Sequence, residues 1–309
     1  MAERAAHLVD HVLPDVPIRQ WVLSLPYRLR YLLAWDHDLC RAVVGVYMRA
    51  VLGFLRACAR HNGVANGQSG AVVIIQRFGG ALNLNVHVHA LVIDGVFAQD
   101  GKRLCFQAAR HLTRDDMAEV AAVVAHRIDR LLQRRGVMAT SEESGGVDRW
   151  AEEAPALAGL AAASVQGLLA LGPRVGARIA RYGSPPEEVT PATLGPCHAN
   201  VDGFDLHAGI VIPAGRRERL ERLCCYTLRP PIAQTRLRVD GEGQVWITLR
   251  HQWSDGTTRL CVDAVAFLER LAVLIPRPRV NLVLYYGLLA PRAPRRAAVV
   301  ASAGCGYSP

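Results

Sequence analysis

Two histidines separated by one residue are the first candidates for chemistry in this sequence. His87, Val88 and His89 lie in an apolar, β-branched run. Side chains alternate across a strand, so both imidazoles are expected to project from one face. Two imidazoles one strand repeat apart can hold one divalent ion and leave coordination positions open for a further ligand and for phosphate oxygens. On its own the pattern also fits two structural histidines on a half-buried strand.

A tyrosine in a basic segment is the second candidate. Tyr226 lies in a predicted helix from Arg216 to Leu228, with arginines before and after it and a stop at Pro230-Pro231. Cutting a phosphodiester needs a nucleophile, charge neutralisation on the scissile phosphate and in-line geometry. A tyrosine nucleophile would keep the 5′-phosphate in a covalent link and release a 3′-hydroxyl, so the ends could be rejoined without ATP. Tyr226 alone could equally be an amphipathic residue of a basic helix.

The elements that must position these residues can be predicted from local patterns. The runs AVVIIQRF (71–78) and NVHVHALVIDGVF (85–97) are joined by a short turn with Gly79-Gly80, which predicts a β-hairpin, with Asp94-Gly95 as a further turn. Helices are predicted over 38–60, over a segment that begins after the cap Thr113, and over 263–273. Further strands are predicted over 204–213 and over 257–262, and a pair of strands is predicted on the two sides of DGEG (240–243). Helices mixed with hairpins predict an α+β fold in which helices flank an antiparallel sheet.

Composition indicates a folded protein with a basic surface. The chain has 309 residues, of which 51% are hydrophobic and 20% are charged, and its formal net charge is +9. Nearly all the basic residues are arginine, with Lys102 the only lysine. A basic surface attracts polyanions, most often nucleic acid, although a GC-rich genome also inflates arginine.

Cysteine usage and hydropathy indicate the compartment. The eight cysteines form no CxxC pair, which predicts reduced thiols in a cytoplasm and no zinc finger in this chain. The N-terminus carries acids and histidines where a signal peptide needs an apolar run. Residues 154–171 are uncharged but rich in alanine and glycine, which favours a packed core helix over a membrane span. We therefore expect no membrane association.

Read together, the two candidate segments resemble a known family. QRFGGALNLNVHVHALVIDGVF (76–97) resembles the signature of the rolling-circle insertion-sequence transposases of the HUH single-strand nuclease superfamily, and LERLCCYTLRPPIAQTRL (220–237) resembles their tyrosine segment. The similarity also covers 16–33, 203–214, 253–258 and 278–291, in the same order. It therefore spans almost the whole chain.

The resemblance implies roles for individual residues. His87 and His89 match the metal-binding pair, which would hold Mg or Mn, and Tyr226 matches the nucleophile. The third ligand would be Gln76, on the strand paired with the histidine strand, or His207 on another predicted strand, with a slight preference for Gln76. Some relatives have a second tyrosine one helical turn earlier, where this chain has Arg222, so it resembles the single-tyrosine branch linked with insertion-sequence common regions.

The resemblance also implies an activity and its partners. It implies an antiparallel nuclease sheet, with added helical segments, and an enzyme that cuts and rejoins single-stranded DNA at the hairpin ends of its own element. Arg222 and Arg229 would contact the DNA strand. A homo-oligomer is compatible with this activity, and the location would be the bacterial cytoplasm, in association with the nucleoid.

Close alternatives are a plasmid replication initiator or relaxase and a truncated, non-catalytic DNA-binding remnant. A metallohydrolase for small molecules would instead need an enclosed apolar pocket near His87.

Three segments are predicted along the chain. They are a helical N-terminal region (1–60), a nuclease core (61–232) with a helical insertion at about 139–195, and a C-terminal β-meander and tail (233–309). Members of the family usually begin with a cysteine-rich zinc-binding module, so we expect this chain, which starts at MAERAAHLV, to lack that module.

Overall fold

Runs of helices and runs of strands follow one another along the chain in the computed structural model, which describes residues 2–101, 103–137, 148–184, 195–278 and 280–301. The helices are α1 Ala2–His11, α2 Tyr27–Trp35, α3 His37–His61, α4 Arg114–Arg134, α5 Arg149–Glu153, α6 Pro155–Gln166, α7 Arg217–Thr227, α8 Ala264–Leu274 and α9 Arg296–Val300. The strands are β1 Ile18–Ser24, β2 Gly70–Phe78, β3 Leu84–Ile93, β4 Gly95–Asp100, β5 Arg103–Ala108, β6 Ala180–Gly183, β7 His198–Val201, β8 Phe204–Ile212, β9 Leu237–Val239, β10 Val245–Thr248, β11 Thr257–Val262 and β12 Val283–Gly287. The predicted α+β class is confirmed.

A central antiparallel sheet carries the histidine strand. Among the described residues, six strands pair in the order β12-β2-β3-β1-β8-β7, so β3 lies between β2 and β1. The predicted hairpin is therefore present as β2 and β3. The ladder ends at Ile93, and β4 begins at Gly95 to pair with β5 instead. The turn residue Asp94 is buried and binds Arg19, whose Nε lies 2.8 Å from Oδ1 of the carboxylate.

Three strands of this sheet, β1, β7 and β12, were not predicted, and β1 is the one that lies next to the histidine strand. β1 (IRQWVLS) lies between β3 and β8, and all but two of its residues are buried. A strand covered on both faces loses the alternation of apolar and polar residues that identifies a strand in sequence. β1 comes from the segment expected to be helical, and the edge strand β12 comes from the C-terminal segment. The sheet thus contains strands from all three predicted segments.

Helices cover both faces of the central sheet. Trp21, Leu23, Val88 and Ala90 belong to one core cluster with the buried sides of α3 and α4. The N-terminus of α4 has the predicted cap, since the side chain of Thr113 accepts a hydrogen bond from the backbone of Asp116. α3 is long and apolar enough to cross a membrane by length and composition, but half of its most apolar stretch is buried inside the protein.

A smaller four-stranded sheet follows the order β6-β11-β10-β9 in the described residues. It contains the predicted DGEG hairpin, which forms between β9 and β10, and the predicted strand β11. In the turn, the carboxylate of Asp240 accepts hydrogen bonds from the backbone of Gln244 and from the indole of Trp246. Of the predicted helical insertion, 138–147 and 185–194 lie outside the described residues, and α5, α6 and β6 lie between them.

Candidate active site

The two histidines and the tyrosine converge on one face of the central sheet. Paired residues of an antiparallel ladder share a face, and His87 pairs with Gln76 and Ser24 while His89 pairs with Val22. The rings of His87 and His89 lie 4.9 Å apart, centroid to centroid. α7 packs across this face and brings the ring of Tyr226 to 6.1 Å from that of His89.

The helix that carries Tyr226 is anchored by its apolar side. Leu220, Leu223 and Cys224 are buried in a cluster with Ile74 and Leu91 of the sheet. Tyr226 lies on the flank of this buried side, next to His89, and stays partly exposed. The amphipathic pattern of RERLERLCCYT therefore fixes the helix on the sheet and leaves the phenol beside the histidines, at an accessible edge.

The histidines are held as neutral bases. Nδ1 of His87 lies 2.9 Å from the backbone oxygen of Asn85, which makes Nδ1 the donor and leaves Nε2 free. Burial lowers the pKa of His87, and the nearby charges of Arg229 and Arg30 lower it further. Burial also lowers the pKa of His89 to about 3, with smaller contributions from His87 and Arg229. Nε2 of His89 is buried and has no hydrogen-bond partner in the described structure.

Gln76 and His207, the two candidates for a third ligand, lie in different places. Gln76 is buried opposite His87, and its Nε2 donates a 2.6 Å hydrogen bond to the backbone oxygen of Thr227. This bond ties β2 to the end of α7. Its Oε1 is buried without a partner in the described residues. His207 lies on β8, separated from His89 by β1, and its ring contacts His198 at 5.9 Å. The structure thus places Gln76, and not His207, beside the pair.

These residues fit a divalent ion. Nε2 of His89 and Oε1 of Gln76 are buried polar atoms without partners in the described residues, and a bound ion would offset the cost of their desolvation. No group of three His, Cys, Asp or Glu side chains within the described residues could hold a metal. The available donors are therefore two imidazoles and one amide oxygen. A set containing an oxygen and leaving positions open is compatible with Mg²⁺ or Mn²⁺.

Two arginines lie over the phenol ring of Tyr226. The guanidinium carbon of Arg229 is 4.1 Å from the ring centroid, and that of Arg250 is 5.5 Å away. Burial lowers the pKa of Arg236, and the positive charges of Arg250 and Arg229 lower it further, which indicates that the three side chains form one basic cluster. Sequence reasoning identified Arg229 but missed Arg250, because Arg250 follows a strand of the smaller sheet and carries no local signal.

Arg222 has a different setting. It is exposed one helical turn before Tyr226, and its Nη2 lies 3.3 Å from the carboxylate of Glu218 on the same helix. An exposed ion pair of this kind contributes little to stability, so the guanidinium is available to exchange Glu218 for another anion. Its contact with DNA stays a prediction.

Comparison with known proteins identifies the family. The chain matches a protein family described as "Putative transposase" over residues 70–297. It belongs to this family. The matched range includes His87, His89 and Tyr226, together with Arg229 and Arg250. No curated protein and no solved structure shows a significant match. A transposase cleaves and joins DNA, so DNA is its partner.

The burial of the histidines predicts a pH-dependent stability. Since the pKa of His89 falls to about 3 in the folded protein, the unfolded chain binds a proton at this site below pH 6.5 and the folded protein does not. The metal-free protein should therefore lose roughly 2 kcal/mol of unfolding free energy between pH 7.5 and pH 5 through His89. Urea unfolding in EDTA at both pH values measures the loss, which should be smaller in His89→Gln. An equal loss of unfolding free energy in the unchanged protein and in His89→Gln would show that His89 is not the group responsible.

Proposed function

We propose that this transposase cuts one DNA strand with Tyr226 and rejoins it through a 5′-phosphotyrosine, in the manner of HUH nucleases in rolling-circle transposition. The observation that carries the proposal is the convergence of Tyr226 with His87 and His89, whose positions in the chain are far apart. A phenol, two neutral imidazoles and a basic cluster are the groups that metal-assisted phosphodiester cleavage requires.

The chemistry proceeds by in-line displacement at phosphorus. The phenolic oxygen of Tyr226 loses its proton to water and bonds to the phosphorus, and the bond to the 3′-oxygen breaks. The departing oxygen takes up a proton and becomes a free 3′-hydroxyl. An incoming 3′-hydroxyl reverses these steps, restores the phosphodiester and releases the phenol, so no ATP is consumed.

The residues around the phenol would hold the metal ion and offset the charge of the phosphate. His87, His89 and Oε1 of Gln76 would hold a Mg or Mn ion, which when bound polarises the scissile phosphate. Arg229 and Arg250, already over the phenol ring, offset the charge that develops on the phosphate oxygens. Arg222 extends the basic surface one turn further along α7.

The alternative functions would require a different kind of site or a different outcome with DNA. A small-molecule metallohydrolase needs an enclosed apolar pocket near His87, but the cleft that Asn85 lines, two residues before His87, is open and contains several arginines. The family match favours a transposase over a replication initiator or relaxase with the same chemistry. A non-catalytic remnant would bind DNA without forming a covalent link.

The proposed substrate and setting follow from this chemistry. The DNA would be the single-stranded, hairpin-forming ends of the element, and the location would be the bacterial cytoplasm, at the nucleoid. Arg222 occupies the turn before Tyr226, so one subunit offers one tyrosine of this helix for two strand transfers. A homo-oligomer would supply a second Tyr226.

The test is direct. The protein is incubated with Mn²⁺ and a 3′-labelled single-stranded oligonucleotide that carries the hairpin end of its element. Because the phenol would retain the 5′-phosphate of the downstream fragment, the label should migrate with the protein under denaturing conditions. Binding without a covalent adduct would support the remnant instead.

Gln20, a residue that sequence reasoning did not identify, should influence metal affinity. Nε2 of its side-chain amide lies 2.8 Å from Nδ1 of His89, and both groups are buried. For Nε2 of His89 to bind a metal, Nδ1 must carry the proton and donate it, so the amide must turn over and present its oxygen to the ring. Gln20→Leu should weaken Mn²⁺ binding by about 10- to 100-fold, measured by electron paramagnetic resonance.

A matched variant separates this positioning role from packing. Gln20→Glu keeps an acceptor oxygen at the same reach and should bind Mn²⁺ at least as tightly as the unchanged protein. If Gln20→Leu and Gln20→Glu both bind as the unchanged protein does, Gln20 does not position His89.

A further inference from the structure

An open cleft of about 720 Å³ lies beside the histidine pair. Its walls come from the start of α2, the turn between β2 and β3, the connection from α6 to β6, and Trp253 in the loop before β11. Its volume is in the range of pockets that hold small ligands. The mechanism described above uses none of its side chains.

The cleft is strongly basic. Arg30, Arg178, Arg181 and Arg270 line it, and none of its described lining residues is acidic. Arg181 also binds Asp255 outside the cleft, at 2.8 Å, in an exposed pair. Arg270 is buried at the base, where it donates to the backbone oxygens of Ala81 and Leu168. This charge favours a polyanion.

Two aromatic rings stand among these charges. The guanidinium of Arg181 lies 4.9 Å from the ring centroid of Trp253, and that of Arg30 lies 4.3 Å from the ring of Tyr27. Tyr27 is 64% exposed although it opens a helix that packs on the sheet. Aromatic rings interleaved with arginines are the usual platform for unpaired bases, whose faces stack on the rings while the arginines contact the phosphates.

The cleft is continuous with the catalytic face. Asn85 lines it and lies two residues before His87 on β3, a separation of roughly 7 Å along a strand. The backbone oxygen of Asn85 binds the ring of His87, whereas its side-chain Oδ1 is buried without a partner in the described residues. Asn85 therefore joins the wall of the cleft to the histidine strand, and a DNA strand in the cleft would pass next to His87.

We propose that this cleft binds unpaired nucleotides next to the scissile phosphate, with bases stacked on Trp253 and Tyr27 and phosphates held by Arg30, Arg178 and Arg181. The inference rests on the proposed function, because it places the scissile phosphate at the histidine pair. It adds the basis for single-strand selectivity. Bases within a duplex are stacked on one another and cannot offer their faces to these rings.

The experiment measures binding in EDTA, so that no cleavage occurs. The probe is a fluorescent (dT)12 oligonucleotide, and anisotropy gives its dissociation constant. Trp253→Ala should weaken binding by about 5- to 150-fold, and Trp253→Phe should largely restore it. Arg178→Gln should lower the slope of log affinity against log salt by about 0.7.

A matched tryptophan controls for general damage to the smaller sheet. Trp246 is also half-buried, contacts Tyr182 and Arg259, and does not line the cleft. Trp246→Ala should leave (dT)12 binding unchanged. In the unchanged protein, photocrosslinking of a (dT)12 probe containing 5-iododeoxyuridine should map to Trp253 or Tyr27 by mass spectrometry, which requires no variant to fold.

The outcomes separate this inference from the proposed function. Crosslinks elsewhere, with unchanged binding by Trp253→Ala, would overturn the inference even if Tyr226 forms its adduct. Equal affinity for a duplex of the same length would overturn the single-strand selectivity. Binding that depends on Trp253, in a protein that forms no adduct, would support the cleft and refute the nuclease mechanism.

Discussion

Tyr226→Phe should abolish the covalent protein–DNA adduct, with a loss of at least about 10⁴-fold in the rate of its formation. The substitution removes one oxygen atom and keeps the ring that contacts His89, Arg229 and Arg250. The leucines of α7 that hold the helix on the sheet are unchanged. The 3′-labelled hairpin oligonucleotide with Mn²⁺ measures the rate, and the attached peptide is identified by mass spectrometry.

Tyr182→Phe is the matched control for this substitution. Tyr182 is 44% exposed, compared with 37% for Tyr226, and its ring also packs against another aromatic residue. It lies on β6, away from the histidines, so its variant should form the adduct at the rate of the unchanged protein. An adduct that persists in Tyr226→Phe would show that another residue is the nucleophile.

Elements with a strong local pattern were predicted correctly from the sequence. The histidine strand and its partner form a hairpin because two apolar runs flank a turn with two glycines, and the tyrosine helix ends where Pro230-Pro231 cannot continue it. The hairpin alone also places Gln76 opposite His87. The central part of the candidate site was therefore accessible to sequence reasoning.

Contacts that depend on strand order were not accessible. β1 is covered on both faces and shows no alternation, so its place between β3 and β8 could not be inferred. This strand brings Gln20 to His89 and keeps His207 at a distance. Arg250 reaches Tyr226 through the packing of the smaller sheet, which no local pattern encodes.

The double variant His87→Leu/His89→Leu should lose Mn²⁺ binding and reduce adduct formation by about 10³-fold. Charge neutralisation by a bound metal contributes several kcal/mol at a phosphate, and each 1.36 kcal/mol is a factor of ten in rate. Leucine fills most of the space and removes the Nε2 of His89 that has no partner in the described structure, but it also removes the partner of the buried Gln20 amide, so a thermal melt checks that the variant folds. Electron paramagnetic resonance measures Mn²⁺ binding, and the labelled oligonucleotide measures the adduct.

His207→Leu and Gln76→Leu complete the comparison, because they test the two candidates for the third ligand in the same assay. His207 lies on the same sheet face, but β1 separates it from the pair, whereas Oε1 of Gln76 lies opposite His87 without a partner. We therefore expect Gln76→Leu to weaken Mn²⁺ binding and His207→Leu to leave it unchanged. The reverse result would exchange their roles. If the double histidine variant still binds Mn²⁺ fully, the two histidines do not form a metal site. The basic cluster would then be the only group that offsets the phosphate charge.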